Sequence, residues 1–359
     1  MRHGNRAIMR SVNASFLSVF VFCLLFLVYP DSVCHANSPY IYKVYEFAPA
    51  PGQFVNVLPA YKEDDTEEDM RQKAEDAIAG DAKGLVCLGG WGGFIVFGFD
   101  HMVLNMPDQR DLLIWGNAFE NNAEPGIVYV SYDANDNGKP DDPWYEIAGS
   151  EYESATLDYQ LTYYLPEEGH EAKPEEGNPY ITDAEYILWR DQEGKTGYIA
   201  QNVYHKQSYF PRWVETEELT FTGSLLPNNA TSYVENEVTK FLLPAFGYGY
   251  ADNLPNTSED AAIDLDWAVD EQGNPAHLEG VHFVKVMTGV NQQCGWLGET
   301  STEISGAEDL HPDAVAPESI EGVCSPTLPA KRLVNGQLYI FRDHKQYTVT
   351  GTIINSINH

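Results

Sequence analysis

Short hydrophobic runs separated by Gly, Pro, Asn and Asp fill most of this 359-residue chain. The runs are rich in β-branched and aromatic residues, a composition typical of β-strands between turns. They cover residues 40–47, 94–99, 112–115, 127–132, 159–164, 186–189, 219–222, 238–246 and 281–288. The pattern therefore predicts an all-β fold, a twisted antiparallel β-sandwich.

One segment has a different pattern and predicts a single short helix. Thr66 is followed three residues later by Asp69, which resembles a capping box at a helix N-terminus. The residues up to Ala79 are mostly helix formers, and Gly80 then supplies a stop signal. The acids of 63–69 suit a helix N-terminus, and we interpret them as a solvated face.

The N-terminus resembles a secretion signal. Three arginines precede an apolar run at 16–29, and small residues around Ala36 suit cleavage there. We therefore predict a signal peptide at 1–36. Two alternatives stay open: a lipoprotein signal acylated at Cys34, or an uncleaved membrane anchor, for which the apolar run is short.

The rest of the chain divides into three predicted parts. Residues 37–310 form the sandwich domain, and 311–329 are a Pro-rich and acidic linker. Residues 330–359 are basic and strand-like, which predicts a C-terminal β-hairpin tail. No transmembrane span is expected in the mature chain, so we predict a protein that is secreted or held at the cell surface.

Charge narrows the possible partners. The chain has 54 acidic against 21 basic residues, a formal net charge of −33, although 43% hydrophobic residues indicate a folded protein. Such a charge repels phosphate backbones, which argues against nucleic acid as a partner. Cations, neutral sugars or basic protein patches are compatible with it.

The cysteines are too few for a disulfide framework. Cys87, Cys294 and Cys324 remain after signal cleavage, and their spacing suits no zinc site. A disulfide between Cys294 and Cys324 is one hypothesis, and three buried thiols are the other.

Residues 133–142 contain the strongest chemical motif, an Asp-Asn loop similar to the first part of an EF-hand calcium loop. Oxygen-bearing side chains recur at alternate positions, and Gly138 permits the sharp turn. Trp144 stands where an EF-hand has its bidentate Glu, so an ordinary hairpin turn is the alternative. The predicted ligands of a structural Ca²⁺ are Asp133, Asn135, Asn137, Lys139 through its backbone carbonyl, Asp141, Asp142 and Glu146.

A second acidic stretch contains Asp252, Asp260, Asp264 and Asp266 and lies before Trp267. We interpret it as a solvated strand face, with a second ion as the alternative.

No motif for nucleophilic, metalloprotease or nucleotide chemistry occurs, and no catalytic residue is assigned. Aromatic side chains are the better functional signal, because rings can stack on sugars or on a flat macrocycle. Core packing is the alternative role for most of them. The predicted ligand-binding residues are Trp91, His205, Tyr209, Trp213 and Trp296.

The chain also resembles a family of Bacteroidales cell-surface proteins, often described only as cell surface or PKD domain-containing proteins. The resemblance rests on Gly-Gly-Trp-Gly-Gly at 89–93 and on segments 96–101, 116–119, 124–131, 144–146, 148–152, 267–270 and 295–303. It implies a secreted jelly-roll-like sandwich without an established catalytic site. Some members are associated with outer-membrane uptake of cobalamin.

Three functions are compatible with these observations. The first is a non-enzymatic, calcium-stabilised surface protein that captures a glycan or a cofactor. The second is an accessory subunit that docks on an outer-membrane transporter. The third is a secreted glycan hydrolase, which would need paired carboxylates that the sequence does not single out.

Overall fold

A computed structural model describes residues 37–236 and 238–314 with their side chains. It also describes the backbone of four strands, at 330–334, 337–342, 345–348 and 353–356. The predicted signal peptide, most of the predicted linker and Cys324 lie outside the described residues.

Antiparallel strands are the main regular secondary structure of the described chain. In chain order they are β1 Lys43–Ala48, β2 Val86–Cys87, β3 Phe94–Leu104, β4 Leu112–Trp115, β5 Gly126–Ser131, β6 Trp144–Ile147, β7 Thr156–Tyr164, β8 Ile181–Asp191, β9 Thr196–Asn202, β10 Glu218–Leu225, β11 Thr231–Glu235, β12 Val238–Leu242, β13 Tyr250–Ala251, β14 Ala268–Val269, β15 Gly280–Thr288, β16 Glu303–Ile304, β17 Gly306–Asp309, β18 Ala330–Val334, β19 Gln337–Arg342, β20 Lys345–Thr348 and β21 Ile353–Ser356. The α-helix is α1 Glu67–Ile78, and short 3₁₀ turns lie at Tyr152–Ser154, Glu259–Ala261, Leu265–Trp267 and Gly295–Leu297.

A seven-stranded sheet forms the middle layer, in the order β1-β3-β15-β5-β6-β14, with β13 also paired to β5. Its central strands are apolar on both faces. Along β5, Val128 and Val130 point to one side, while Ile127 and Tyr129 point to the other. This explains why the sequence of these strands is nearly continuous in hydrophobic residues instead of alternating with polar ones.

A four-stranded sheet, β10-β7-β8-β9, covers one face of the middle layer. Leu161, Tyr163 and Phe221 of this sheet pack with Ile127 and Met287 of the seven-stranded sheet in one buried cluster. Two antiparallel sheets packed face to face define a β-sandwich. The predicted all-β antiparallel sandwich with one helix is confirmed.

The helix α1 packs on the opposite face of the middle layer. Met70, Ala74 and Ile78 are fully buried there, together with residues of the short pairs β2–β16 and β4–β17. The predicted capping box is present: the Thr66 hydroxyl accepts from the Asp69 N–H at 3.2 Å, and the Thr66 N–H donates to the Asp69 carboxylate at 2.9 Å. Local sequence therefore sets where this helix begins.

Some predicted strand limits differ from the structure. The strand predicted at 238–246 ends at Leu242, because Pro244 has no N–H for the ladder. The sequence pattern misses β9, β11 and β17, as well as the two-residue strands β2, β13, β14 and β16. The C-terminal residues form four antiparallel strands, β18 to β21, which is more than the predicted hairpin.

Among the described residues, no helix combines the length and apolar character needed to cross a lipid bilayer.

Candidate functional site

The Asp-Asn loop joins β5 to β6 and is held by its own side chains. Both carboxylate oxygens of Asp133 accept backbone N–H groups, from Asn137 at 3.1 Å and from Gly138 at 2.7 Å. The amides of Asn135 and Asn137 donate to Asp141 at 3.1–3.3 Å. Rotating either amide by 180° exchanges its nitrogen for its oxygen, so the same positions can present oxygen ligands.

The other predicted ligands of this loop have mixed placements. Asp142 accepts from the Ala134 N–H at 3.1 Å and stays within the loop. The Lys139 carbonyl accepts the Asp141 N–H at 2.9 Å, so that oxygen already has a partner. Glu146 lies elsewhere: its carboxylate accepts the Ser224 hydroxyl at 2.6 Å on the face between the two sheets. The structure therefore gathers the loop residues and separates Glu146 from them.

Three of the five predicted ligand-binding residues lie in the interior. Trp91 and Tyr209 are buried in the cluster between the two sheets, and Trp213 is buried on the helix side of the middle layer. The Trp91 indole donates to the Ser224 carbonyl at 3.1 Å, which ties it to the core. These rings act in packing. The remaining two residues, His205 and Trp296, line one pocket.

This pocket has a volume of about 540 Å³ and lies where the segment 53–58, the loop after β9 and the loop before β16 meet. We call it the central pocket. Its lining residues are Gln53, Phe54, Leu58, Leu85, Asn117, Asn122, Glu124, Asn202, Tyr204, His205, Leu243, Cys294, Trp296, Leu297, Gly298, Glu299, Thr300, Ser301 and Glu303.

Aromatic side chains form the rim of the central pocket. His205 packs edge-on against Phe54 with ring centres 4.5 Å apart, and Tyr204 lies 6.4 Å from Trp296. The Trp296 indole donates to the Thr239 carbonyl at 3.1 Å, which fixes the plane of the ring. Burial lowers the pKa of His205, so this imidazole is neutral at neutral pH. The rim is therefore an uncharged set of rings in which a hydrogen bond holds Trp296.

Three carboxylates from distant parts of the chain meet at the central pocket: Glu124 and Glu303 line its floor, and Asp252 adjoins them without lining it. We call them the carboxylate trio. Their ligating oxygens all lie within 4.8 Å of one another. Strand pairing brings them together: the ladder between β13 and β5 places Asp252 beside Glu124, whose N–H donates to the Asp252 carbonyl at 2.9 Å. Glu303 begins β16, and its N–H donates to the Asp252 carboxylate at 2.9 Å.

The trio is electrostatically unfavourable when fully ionised. Burial raises the pKa of all three carboxyls, and repulsion between neighbouring members adds to the effect for Glu124 and Glu303. Backbone N–H groups oppose the shift at Asp252: the Asn117 and Ala118 N–H groups each donate to its carboxylate at 2.8 Å. The backbone N–H groups thus stabilise the ionised form of Asp252, while burial still raises the pKa of this carboxyl to about 7.

A further carboxylate, Glu299, also lines the central pocket and is buried, with 5% of its surface exposed. One of its oxygens accepts the Gln53 N–H at 2.7 Å. The other, Oε2, is buried and has no hydrogen-bond partner among the described residues. Burial raises the pKa of Glu299 to about 7. A buried acceptor without a donor is costly, so this oxygen is a place where a ligand would contribute binding energy.

Sequence reasoning found the rim of this pocket but not its floor. His205 and Trp296 are predictable because aromatic residues stand beside amide or basic donors in their segments. Asp252 was noticed only as part of an acidic stretch, while Glu124, Glu299 and Glu303 lay in segments quoted for the family resemblance. No spacing rule joins residues so far apart in the chain.

No protein-family model matches the chain, and no curated protein matches its sequence.

Proposed function

We propose that this protein is a non-enzymatic binding protein that takes a glycan segment in the central pocket. The observation that supports this best is the pairing of a fixed aromatic rim with a floor of carboxylates. Trp296 and Tyr204 offer ring faces to the apolar side of a sugar. Glu124, Glu299 and Glu303, which line the pocket, offer acceptors to its hydroxyl groups.

The size and polarity of the central pocket suit such a ligand. Its volume of about 540 Å³ falls within the roughly 300–1,000 Å³ typical of small-ligand sites. Tyr180 extends the aromatic surface outward, since its ring stacks with Tyr204 at 6.2 Å between centres and 18° between planes. A chain of sugar rings would therefore contact both the pocket and this outer surface.

We also propose that the protein is exported and acts at the cell surface, because the sequence of residues 1–36 resembles a secretion signal. A structural Ca²⁺ in the Asp-Asn loop belongs to the same proposal. The oxygens that Asp141 and Asp142 bring to this loop support it. The ion would fix the connection between β5 and β6.

A titration of the purified full chain with oligosaccharide fragments, followed by tryptophan fluorescence and calorimetry, tests the glycan proposal. We expect saturable binding that Trp296→Ala and Tyr204→Ala each weaken about two- to tenfold, since stacking contacts of this kind contribute about 0.5–1.5 kcal/mol beyond area burial. Tyr42→Ala, an exposed ring that does not line the pocket, is the control and should bind as the parent does.

The same samples separate binding from hydrolysis. Chromatography of the incubated oligosaccharides should show no shortened products. Cleavage that Glu303→Gln abolishes would replace the binding proposal with a hydrolase, and unchanged affinity in both rim variants would place the ligand elsewhere.

A second candidate function is docking on an outer-membrane transporter as an accessory subunit. The hairpin β11–β12 favours it, because Tyr233 and Val234 are 44% and 71% exposed near its turn. Exposed apolar side chains on a hairpin are typical of a protein contact. Affinity capture from outer membranes should recover a barrel protein with the parent chain and lose it with Val234→Asp, while retention by the variant would argue against this hairpin.

A further inference from the structure

The carboxylate trio carries an inference that is independent of the glycan proposal. Glu124, Asp252 and Glu303 come from three separate segments, and their ligating oxygens converge within 4.8 Å. None of the ion pairs among the described residues includes a member of the trio or Glu299. Buried carboxylates without a basic partner are rare, because isolated buried charge is expensive.

The trio is also held in place by its surroundings. The Asp252 carboxylate accepts three backbone N–H groups, from Asn117, Ala118 and Glu303, at 2.8–2.9 Å. Ser301 fixes the other two members: its N–H donates to Glu124 at 3.2 Å, and its hydroxyl donates to Glu303 at 3.0 Å. Sites that hold their ligand oxygens in position before binding lose little entropy when an ion arrives.

Gly116 leaves the space that this arrangement needs. A Cβ at this position would lie 2.2 Å from Oδ1 of Asp252, which is far closer than atoms approach in proteins. The backbone next to Gly116 therefore comes close enough for the Asn117 and Ala118 N–H groups to reach that same oxygen. The close approach of the backbone at Gly116 therefore holds the Asp252 carboxylate in position.

A second, independent observation in the same pocket points to a ligand with positive character. Glu299 is 5% exposed, lines the central pocket and has one carboxylate oxygen without a hydrogen-bond partner among the described residues. This oxygen is not needed to hold the trio, since it belongs to none of the trio's hydrogen bonds. The unpaired Glu299 oxygen indicates that a bound ligand supplies the partner that the protein itself does not provide.

We propose that Glu124, Asp252 and Glu303 bind a hard divalent cation at the floor of the central pocket, with its open coordination positions facing the pocket. The donor set consists of oxygen atoms, which suits Ca²⁺ or Mg²⁺ more than softer metals. Asn117 and Asn122 line the same pocket and offer amide oxygens, and water fills the remaining positions. The site is separate from the Asp-Asn loop.

Such an ion would change what the pocket can bind. The two positive charges of the ion would offset most of the repulsion among the three carboxylates of the trio. An ion with open coordination positions can also bind a hydroxyl or carbonyl oxygen of a bound molecule. Ligand affinity would then depend on the metal.

Tb³⁺ luminescence, excited through tryptophan, and calorimetry with Ca²⁺ and Mg²⁺ test the site in the chelator-treated full chain. The Asp141→Asn background weakens the loop and leaves the trio intact. We expect one remaining saturable site with a dissociation constant below about 1 mM, weakened about tenfold or more by Glu124→Gln and by Glu303→Gln. Glu271→Gln, an exposed acid outside the pocket, is the control and should bind as its parent does.

The outcomes separate this inference from the proposals above. Absence of metal binding in the Asp141→Asn background, or binding that both glutamine variants retain, would overturn the trio as a cation site. Circular dichroism shows whether each variant is folded, and Glu124→Gln is the safer variant because Glu124 is only partly buried. Glycan binding that persists without metal would leave the proposed function intact, whereas loss of glycan binding in Trp296→Ala with metal binding unchanged would leave this inference intact.

Discussion

Single buried carboxyl groups give this protein its most unusual chemistry. Glu299 keeps one hydrogen bond, from the Gln53 N–H, for two carboxylate oxygens. Glu146 is similarly enclosed between the sheets, where the Ser224 hydroxyl is its partner and burial raises its pKa to about 6. Each such group destabilises the folded state, and this destabilisation increases when the carboxyl ionises.

The pH dependence of unfolding tests whether ionisation of the buried Glu299 destabilises the folded state. Its pKa rises from 4.5 to about 7 on folding, so the folded state holds an extra proton between these values and the free energy of unfolding falls as the pH increases through that range. The free energy of unfolding of the parent chain should fall between pH 5 and pH 8. We expect Glu299→Gln to reduce that fall by up to about 3 kcal/mol, since one pKa unit equals about 1.4 kcal/mol.

Urea unfolding of chelator-treated protein at the two pH values measures the difference. Glu271→Gln, on an exposed turn, should keep the slope of the parent chain. Equal slopes for Glu299→Gln and the parent would contradict the raised pKa.

At the scale of elements, connections between strands determine the local order. The capping box sets the start of α1, and the Asp-Asn loop sets the geometry between β5 and β6. The Asp133 N–H also donates to the His282 ring at 3.2 Å, which attaches this loop to β15. The loop therefore joins three neighbouring strands of the middle sheet, and its rigidity affects more than one turn.

Calcium in the Asp-Asn loop should raise the melting temperature. We expect Asp141→Asn to reduce the calcium-dependent increase, because it removes one ligand charge while leaving the backbone contacts of Asp133 in place. A change of about 1 kcal/mol corresponds to roughly 1–2 °C for a protein of this size.

Differential scanning calorimetry with EDTA and with millimolar calcium measures the effect, and Glu271→Gln again serves as the control. The trio contributes its own calcium response, so the variant should keep part of the increase. An unchanged calcium response in Asp141→Asn would leave the loop as an ordinary turn.

For the molecule as a whole, the decisive feature is a middle sheet that is buried on both faces. The helix side and the four-stranded sheet cover it, and most of the charged side chains behind the chain's formal net charge of −33 lie at the surface. Like charges on a compact surface repel one another, and the unfolded chain separates them. The stability of the folded protein therefore depends on how far dissolved salt screens the repulsion between its surface charges.

Monovalent salt should stabilise the protein. In chelator-treated samples, raising NaCl from about 20 mM to about 200 mM shortens the Debye length from roughly 20 Å to below 10 Å and should raise the melting temperature by a few degrees. Thermal unfolding followed by circular dichroism measures this, with choline chloride as a second salt that carries no small cation. A melting temperature that falls with both salts would show that attractive ion pairs outweigh the net repulsion.

The amino-acid sequence by itself determined the local structure. The β-rich runs and the capping box at Thr66 depend on neighbouring residues, so they were predictable from local chemistry, as were the two rim residues His205 and Trp296 in their loops. The strand limits that were missed, such as the end of β12, depend on where ladder pairing stops.

Only the tertiary structure decided which side chains form the floor of the pocket. Glu124 and Asp252 meet because β13 pairs with β5 in one register, and Glu303 joins them because its N–H reaches the Asp252 carboxylate. Their raised pKa values likewise follow from burial, which no stretch of sequence specifies. Neighbouring residues fix backbone conformation, whereas the meeting and desolvation of distant charges depend on the packing of the entire sheet.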